Sequence, residues 1–241
     1  MSKIAEKIYA CKLSQKGIYY KKNKYVEKNM KTYKIHLIRH GKLDACHNGK
    51  YIGKKTDVPV SAEGMSELKE LREKLWYPDA DVIFTSPLLR CIQSAHALYP
   101  DRNYMMVNEL AECDFGIFEG RGYEELKSDE QFIAWAKGGM KDAMPEGESG
   151  LEFAQRCYTG FARVAEYVMK AGVTDAAVIT HGGVITSILS SLAFPKQDFY
   201  RYNVENGCGF TVTTTPQLWM SGSVIELYST LPLKHEDPEE E

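Results

Sequence analysis

Apolar residues recur along this chain with two different spacings. Short runs rich in β-branched and aromatic residues predict strands, and apolar residues three or four positions apart predict helices. Two later apolar runs predict strands that could pair with each other. The predicted strands cover 33–38, 81–85, 103–107, 176–180, 210–214 and 223–228, and the predicted helices cover 61–76, 87–98, 123–137, 149–172 and 183–192.

Local signals support several of these boundaries. Ser61 is a good N-cap for the first helix, and Pro87 suits the first turn of the second. Ser149 and Glu152 have the spacing of a capping box, which predicts that a long helix begins there. Apolar residues show no regular spacing over residues 41–60, so we expect a long loop there.

Strands that alternate with helices predict an α/β fold. A mostly parallel sheet covered by helices on both faces accounts for the pattern, so we expect a three-layer α/β/α sandwich. In such sheets, ligands bind at the carboxyl ends of the strands. The residues that directly follow the predicted strands are therefore the first candidates for a functional site.

Composition favours one main domain. The chain has 241 residues, 44% of them hydrophobic, and no apolar run of membrane-spanning length. We expect a lysine-rich extension at 1–31, a domain at 32–230 and an acidic tail at 231–241. Met30 resembles a natural start, and no secretory signal is evident. The six cysteines show no paired spacing, which favours reduced thiols and a cytoplasmic location.

Charge is unevenly distributed. Residues 1–31 carry nine lysines and two glutamates, whereas the remainder carries 21 basic and 31 acidic residues. The acidic body argues against nucleic acid as the main partner. The basic leader either touches an anionic surface or is simply solvated. We expect no membrane partner, and a monomer or a homodimer.

Two of the predicted strands end in the same chemical pattern. Arg39, His40 and Gly41 follow the first strand, and His181, Gly182 and Gly183 follow the strand at 176–180. Two histidines and an arginine at the carboxyl edge of a sheet suggest a phosphate site. The two glycines after His181 precede a helix, so their amides either hold an anion or form a plain turn.

Four ordered segments carry a resemblance to the histidine phosphatase superfamily, the phosphoglycerate-mutase-like enzymes. The likeness extends over about residues 33–228. It implies a phosphoglycerate-mutase-like fold and a phosphate site built from all four segments. These segments are Arg39-His40-Gly41, Thr85-Ser86-Pro87-Leu88-Leu89-Arg90, the acid-bearing stretch 110–120, and Thr180-His181-Gly182.

The resemblance implies a role for each site residue. His40 is the expected nucleophile, since a neutral imidazole nitrogen can attack phosphorus and form a phosphohistidine. Arg39 and Arg90 would bind the phosphoryl oxygens, because guanidinium matches phosphate geometry. His181, if protonated, would add a further donor. No P-loop or Mg²⁺-holding carboxylate cluster is visible, so the prediction includes no metal and no cofactor.

The leaving alkoxide needs a proton. The resemblance places the general acid at Glu112, three residues before Phe-Gly. Glu109, Asp114 and Glu119 lie nearby, and spacing alone does not choose among the four carboxylates.

The loop after Gly41 departs from the family pattern. Lys42 and Leu43 replace Glu-Thr, and Cys46 stands where many relatives have a phosphate-binding asparagine. Asn48, two residues further on, is the predicted substitute for it as a substrate-binding residue. Further along, Gly53 lies in a stretch that fits the family loop. Gly53 and Gly182 are the remaining residues of the predicted substrate-binding set.

The acid-bearing segment and the loop 145–149 resemble the small phosphatase branch, which includes α-ribazole-5′-phosphate phosphatases. The sequence therefore predicts a phosphomonoesterase for a small phosphorylated metabolite, with α-ribazole 5′-phosphate as one candidate. A bisphosphoglycerate-dependent phosphoglycerate mutase is the alternative. The phosphatase is favoured over it, because the 30 or so residues between Gly120 and Gly150 are short for the lid that a mutase needs. A catalytically silent phosphate-binding relative is the third class, which Cys46 favours.

Overall fold

The structure is a computed structural model, and it describes residues 31–137 and 142–233. Seven strands form one sheet in the order β3-β2-β4-β1-β6-β7-β5. The strands are β1 (Tyr33–Arg39), β2 (Val82–Thr85), β3 (Tyr104–Met106), β4 (Asp175–Thr180), β5 (Ala193–Phe194), β6 (Gly209–Thr214) and β7 (Ile225–Leu231).

The sheet is mostly parallel, as the sequence predicts. β1, β2, β3 and β4 pair in parallel, and β5 pairs in parallel with β7. β6 is antiparallel to both of its neighbours, β1 and β7. Of the seven strands described, therefore, only β6 runs against the others, and the carboxyl ends of β1, β2 and β4 meet at one edge.

Helices cover both faces of this sheet. The helices are α1 (Ala62–Lys74), α2 (Leu89–Leu98), α3 (Tyr123–Leu126), α4 (Glu130–Lys137), α5 (Gly150–Ala171), α6 (Gly182–Leu192) and α7 (Pro216–Gly222).

Alternation along the strands separates the two cores. In β1, Leu37 joins the core beneath α5 and α6, whereas Ile38 joins the core beneath α1 and α2. Val178 and Ile179 of β4 divide in the same way. The three-layer α/β/α prediction is therefore confirmed, and its physical basis is the two-residue period of the strands.

A third apolar cluster lies apart from the two main cores. It unites buried residues of the segment that follows β3, including Phe118, Leu126 and Phe132, with Met144 beyond α4. Tyr51 and Phe115 pack against this cluster and contact each other edge to face, with ring centroids 5.1 Å apart. The segment that bears the predicted acid is therefore anchored to the fold by aromatic packing.

Several predicted boundaries are wrong. The single helix expected over 123–137 is two helices, because the Asp129 carboxylate accepts from the amides of Gln131 and Phe132 and caps a new start. Pro87 precedes α2 rather than lying in its first turn, since Leu88 is the N-cap. The last strand extends to Leu231 instead of stopping at 228.

Two elements were not predicted. β5 has two residues, which is too short for a periodic signal. α7 begins at Thr215-Pro216, where the Thr215 hydroxyl accepts from the Leu218 amide. The Thr-Pro pair is a recognisable helix start that could have revealed α7.

The predicted leader and tail fall mostly on positions outside the described residues, namely 1–30 and 234–241. Residues 231–233 belong to the fold, because Leu231 ends β7 and Leu233 forms a bridge with Trp76. Across the described part of the chain, no helix is both long and apolar enough to cross a membrane.

Candidate active site

The register of two central strands brings the two histidine motifs together. β1 and β4 are adjacent, with Arg39 opposite Thr180, so His40 and His181 leave the sheet side by side. Their ring centroids lie 5.2 Å apart, and both side chains are buried. Parallel pairing of β1 and β4 therefore brings together two histidines that are 141 positions apart in the sequence.

The ring of His40 has a defined proton position. Its Nδ1 lies 2.7 Å from the carbonyl oxygen of Gly41, which can only accept, so Nδ1 carries the hydrogen. Nε2 is therefore the atom with the lone pair. Burial first, and then the charges of Arg90 and Arg39, lower the pKa of His40 to about 3. His40 is neutral at physiological pH, as a nucleophile must be.

His181 is also held as a neutral ring. Its Nδ1 accepts from the Nε of Arg90 at 3.3 Å, which leaves Nε2 protonated to donate to the Ser86 hydroxyl at 2.7 Å. Burial, then the charges of Arg90 and His40, hold the pKa of His181 well below its usual value. In this arrangement the neutral His181 ring joins Arg90 to Ser86, and its role as a donor to phosphate stays a prediction.

Arg90 is a buried cation whose donors reach a neighbouring loop. Nη1 donates to the carbonyl of Thr56 at 3.0 Å, and Nη2 donates to the carbonyl of Gly53 at 3.0 Å. Burial lowers the pKa of Arg90. Because the Gly53 amide donates to Glu119 at 3.1 Å, both polar atoms of the Gly53 backbone are used within the protein.

Arg39 has more freedom to meet an anion. One Nη donates to the Val204 carbonyl at 2.7 Å, but Nε is buried and has no hydrogen-bond partner among the described residues. The guanidinium lies against Gly182, where an added Cβ would be 3.4 Å from Nε. A buried, charged N–H without a partner is costly, and an anionic oxygen would satisfy it.

Glu112 is partly buried and lines the same cavity as His40. Its carboxylate accepts from the Cys113 amide at 3.0 Å and from the Gly183 amide at 3.3 Å. Burial raises the pKa of Glu112, while these amides and the charges of Arg90 and Arg39 oppose the rise. An added Cβ at Gly183 would lie 2.5 Å from Oε1 of Glu112, so the second glycine of the motif makes room for this carboxylate.

The three rival carboxylates have other roles in the structure. Glu119 accepts from the backbone amides of Gly53 and Lys55 and so fastens the loop that Arg90 holds. Asp114 accepts from the Gly116 amide, and it forms an ion pair with Lys55 at 3.1 Å. Glu109 forms an ion pair with Arg163 at 2.5 Å. Of the four, Glu112 shares a cavity with His40.

That cavity has a volume of about 260 Å³ and opens at the carboxyl edge of the sheet. Asn48 lines it, whereas Cys46 is exposed in the same short turn. Lys42 also lines it, but its ammonium pairs with Glu63 at 2.8 Å. The full lining comprises Arg39, His40, Lys42, Leu43, His47, Asn48, Gly49, Lys50, Tyr51, Ile52, Glu112, Phe115 and Asn206.

Two residues at the site received no role from the sequence. Ser86 accepts from His181, and it belongs to the Thr-Ser-Pro stretch that carries the resemblance. The Asn206 side-chain amide donates to the carbonyls of His40 and Gly41, at 2.9 and 3.3 Å. The Asn206-Gly207 pair before β6 is an ordinary turn signal, and only the fold brings it to His40.

A larger cavity, about 470 Å³, lies at the opposite edge of the sheet beside Lys34, His36 and Asp175. It contains none of the predicted site residues. Within 31–137 and 142–233, no group of three or more His, Cys, Asp or Glu side chains is arranged to hold a metal ion. The candidate chemistry therefore belongs to the smaller cavity.

Comparison with known proteins decides the family. The model of the histidine phosphatase superfamily (branch 1) matches residues 35–223. The chain belongs to the histidine phosphatase superfamily. The phosphatase PhoE of Bacillus subtilis (strain 168) is 25% identical over 185 residues, which are 76% of this chain and 89% of the relative. This histidine phosphatase is accordingly a phosphoric monoester hydrolase.

Solved structures show the same fold. The α-ribazole phosphatase of Shigella flexneri is 25% identical, and the match covers 85% of this chain and all of that one, with a TM-score of 0.67. The phosphoglycerate mutase of Bacillus anthracis str. Sterne is 20% identical over 83% of this chain and 93% of its own, with a TM-score of 0.64. The second likeness concerns the fold alone. The predicted family and fold are confirmed.

Proposed function

We propose that this phosphatase hydrolyses a small phosphorylated metabolite through a phosphohistidine on His40, without a metal ion. The observation that carries the proposal is the proton position of His40. Its Nδ1–H is fixed on the Gly41 carbonyl, and the ring lines a cavity with Arg39 and Glu112. A neutral nucleophile, a cation for the phosphoryl oxygens and a carboxyl group of raised pKa thus meet in one place.

In the first step, the lone pair on Nε2 of His40 attacks phosphorus as the ester P–O bond breaks. The leaving oxygen takes its proton from Glu112, which becomes a carboxylate. The raised pKa of Glu112 suits this role, because a buried carboxyl group retains a proton closer to neutral pH than an exposed one.

In the second step, a water molecule attacks phosphorus and the N–P bond breaks. The Glu112 carboxylate takes a proton from that water, which restores the acid. Inorganic phosphate leaves, and the electron pair of the N–P bond returns to Nε2. Arg39 supplies positive charge to the phosphoryl oxygens in both steps. Arg90 is held by His181 and the loop, and its charge acts on His40.

The cavity favours a small substrate. A volume of about 260 Å³ accommodates a phosphate group and a short organic part, with Tyr51 and Phe115 forming an apolar wall. Similarity to an α-ribazole phosphatase makes α-ribazole 5′-phosphate one candidate, whose base would extend past these aromatic side chains. Phosphoglycerate mutase is the alternative function, because attack by His40 on a phosphate ester would begin that reaction as well.

The test is phosphate release from a panel of phosphomonoesters in the presence of EDTA. The panel contains p-nitrophenyl phosphate, α-ribazole 5′-phosphate and 3-phosphoglycerate. We expect release by the wild-type protein and only background release by His40→Ala, because the attacking nitrogen is gone. Acid quenching during turnover should trap an acid-labile phosphoprotein in the wild type only.

Two results would overturn the proposal. Activity that EDTA abolishes would exclude a metal-independent reaction. Activity retained by His40→Ala would exclude this nucleophile. Phosphoryl exchange between 2- and 3-phosphoglycerate in the absence of phosphate release would instead establish the mutase.

A further inference from the structure

Arg156 of α5 uses every donor it has, on the backbone around the acid and on Glu148. The side chain is largely buried, and each of its five N–H groups has an acceptor within the protein. Three acceptors are backbone carbonyls, two of residues before the acid and one of the acid itself, and two are the oxygens of one carboxylate. These bonds join Nη1 to the carbonyls of Glu109 (2.9 Å) and Ala111 (2.8 Å), Nη2 to the carbonyl of Glu112 (3.1 Å) and Oε1 of Glu148 (2.5 Å), and Nε to Oε2 of Glu148 (3.1 Å).

The segment that Arg156 holds has little regular structure of its own. Residues 108–110 form one 3-10 turn, and Glu112 follows it outside any helix or strand. Glu148 strengthens the contact, because its Oε1 also accepts from the Asp114 amide at 2.8 Å. The backbone on both sides of Glu112 is therefore fixed by one arginine and its carboxylate partner.

Neither residue approaches the reacting atoms, since the lining of the active-site cavity contains neither Arg156 nor Glu148. Their effect reaches the cavity through the position of the Glu112 carboxylate. That carboxylate must lie between the Cys113 and Gly183 amides to face the leaving oxygen. A displacement of about 1 Å in a catalytic group can lower a rate by about a hundredfold.

We propose that Arg156, paired with Glu148, is a positioning residue for the general acid Glu112, an inference that rests on the function proposed above. The consequence is specific to one chemical step. Loss of the contacts made by Arg156 and Glu148 should impair proton donation to the leaving group, while attack by His40 and phosphate binding are unchanged.

The experiment compares two leaving groups through kcat/KM, which reports the steps up to P–O cleavage. An alkyl phosphate needs a proton from Glu112, whereas p-nitrophenyl phosphate needs little help. For Arg156→Lys we expect kcat/KM to fall at least about tenfold on the alkyl phosphate and less than about threefold on p-nitrophenyl phosphate. One ammonium group has three donors and cannot reach three carbonyls and Glu148 together.

Arg163→Ala is the matched control. Arg163 lies on the same helix and pairs with Glu109 of the same segment, but it is exposed and touches no backbone carbonyl next to Glu112. The ratio of the two kcat/KM values should stay at the wild-type value in this variant. Glu148→Gln, which removes the charge and keeps the shape, should shift the ratio in the same direction as Arg156→Lys.

A double variant separates positioning from general damage. If Arg156 acts through Glu112, Arg156→Lys should cause no further loss on the alkyl phosphate in a Glu112→Gln background. An independent loss in that background, or equal losses on both substrates in the single variant, would overturn the inference. Failure of the proposed function would look different, because His40→Ala would then retain wild-type hydrolysis of p-nitrophenyl phosphate.

Discussion

Proton positions at three side chains determine what this site can do. His40 has its hydrogen on Nδ1, His181 has its hydrogen on Nε2, and Glu112 is a carboxyl group with a raised pKa. Desolvation is the largest cause of all three pKa shifts, because a low-dielectric environment disfavours the charged form. The same effect thus lowers the pKa of both imidazoles and raises the pKa of the carboxyl group.

The directions of the pKa shifts of His40 and Glu112 predict how activity depends on pH. His40 must be neutral to attack, and its pKa of about 3 keeps it neutral through mildly acidic pH. Glu112 must be protonated to donate, so kcat/KM for an alkyl phosphate should fall as the pH rises through its raised pKa.

The measurement is a pH–rate profile for one alkyl phosphate with wild type and Glu112→Gln. The substrate itself loses a proton near pH 6, and both proteins should show that ionisation. The additional loss of activity on the alkaline side should be present in the wild type and absent in the variant. The same alkaline loss in both proteins would assign it to a group other than Glu112.

Gly183 supplies a second prediction at this scale. Alanine there would place Cβ 2.5 Å from Oε1 of Glu112, so the carboxylate must move. We expect Gly183→Ala to lower kcat/KM on an alkyl phosphate by roughly 10–100-fold. Thermal stability should be unchanged or slightly higher, because alanine is the better helix former.

Gly222→Ala is the control for that substitution. Gly222 is also helical, and an added Cβ there meets only Val224 at 3.9 Å. Its activity should equal that of the wild type. Full activity in Gly183→Ala would show that Glu112 does not need the observed position.

At the scale of secondary structure, the sequence predicts elements best where a local signal fixes their ends. Ser61 caps α1 and the capping box of Ser149 and Glu152 opens α5, both as predicted. The sequence does not predict the break between α3 and α4 at Asp129, because the spacing of apolar residues continues across this N-cap. Periodicity finds the buried face of a helix, but capping decides where the helix stops.

The site residues also divide into those that the local sequence locates and those whose contacts depend on the whole fold. Arg39, His40 and His181 stand at strand ends that the sequence locates, so their convergence could be expected from topology. The contacts of Asn206 and Arg156 could not, because they depend on backbone carbonyls brought together by the whole fold. Every residue has a backbone carbonyl, so the sequence does not show which carbonyls accept from a side chain.

At the scale of the whole molecule, the class of fold is predictable and the strand order is not. Alternating strands and helices predict a covered parallel sheet. No local pattern indicates that β1 lies between β4 and β6, or that β6 runs antiparallel. Those facts depend on long-range packing, and they are what place His40 beside His181 and the 204–208 turn over the first motif.

The concentration of positive charge at this sheet edge predicts that an anion stabilises the entire domain. Arg39 has a buried Nε without a partner among the described residues, and Arg90 is almost fully buried. A ligand that binds only the native state adds about 2.7 kcal/mol at a hundredfold excess over its Kd. For a domain of this size, that free energy corresponds to a rise in Tm of roughly 5–10 °C.

Inorganic phosphate or orthovanadate should therefore raise the Tm measured by differential scanning calorimetry, with sodium chloride at equal ionic strength as the reference. Arg39→Gln should lose most of the shift, because the amide cannot supply charge to the bound anion. His36→Gln alters a buried histidine in the middle of β1, where Nδ1 lies 2.9 Å from the Thr211 hydroxyl, and it should keep the shift. An equal rise in Arg39→Gln would mean that phosphate stabilises the protein from outside this cavity, and the proposed phosphoryl site would have to be abandoned.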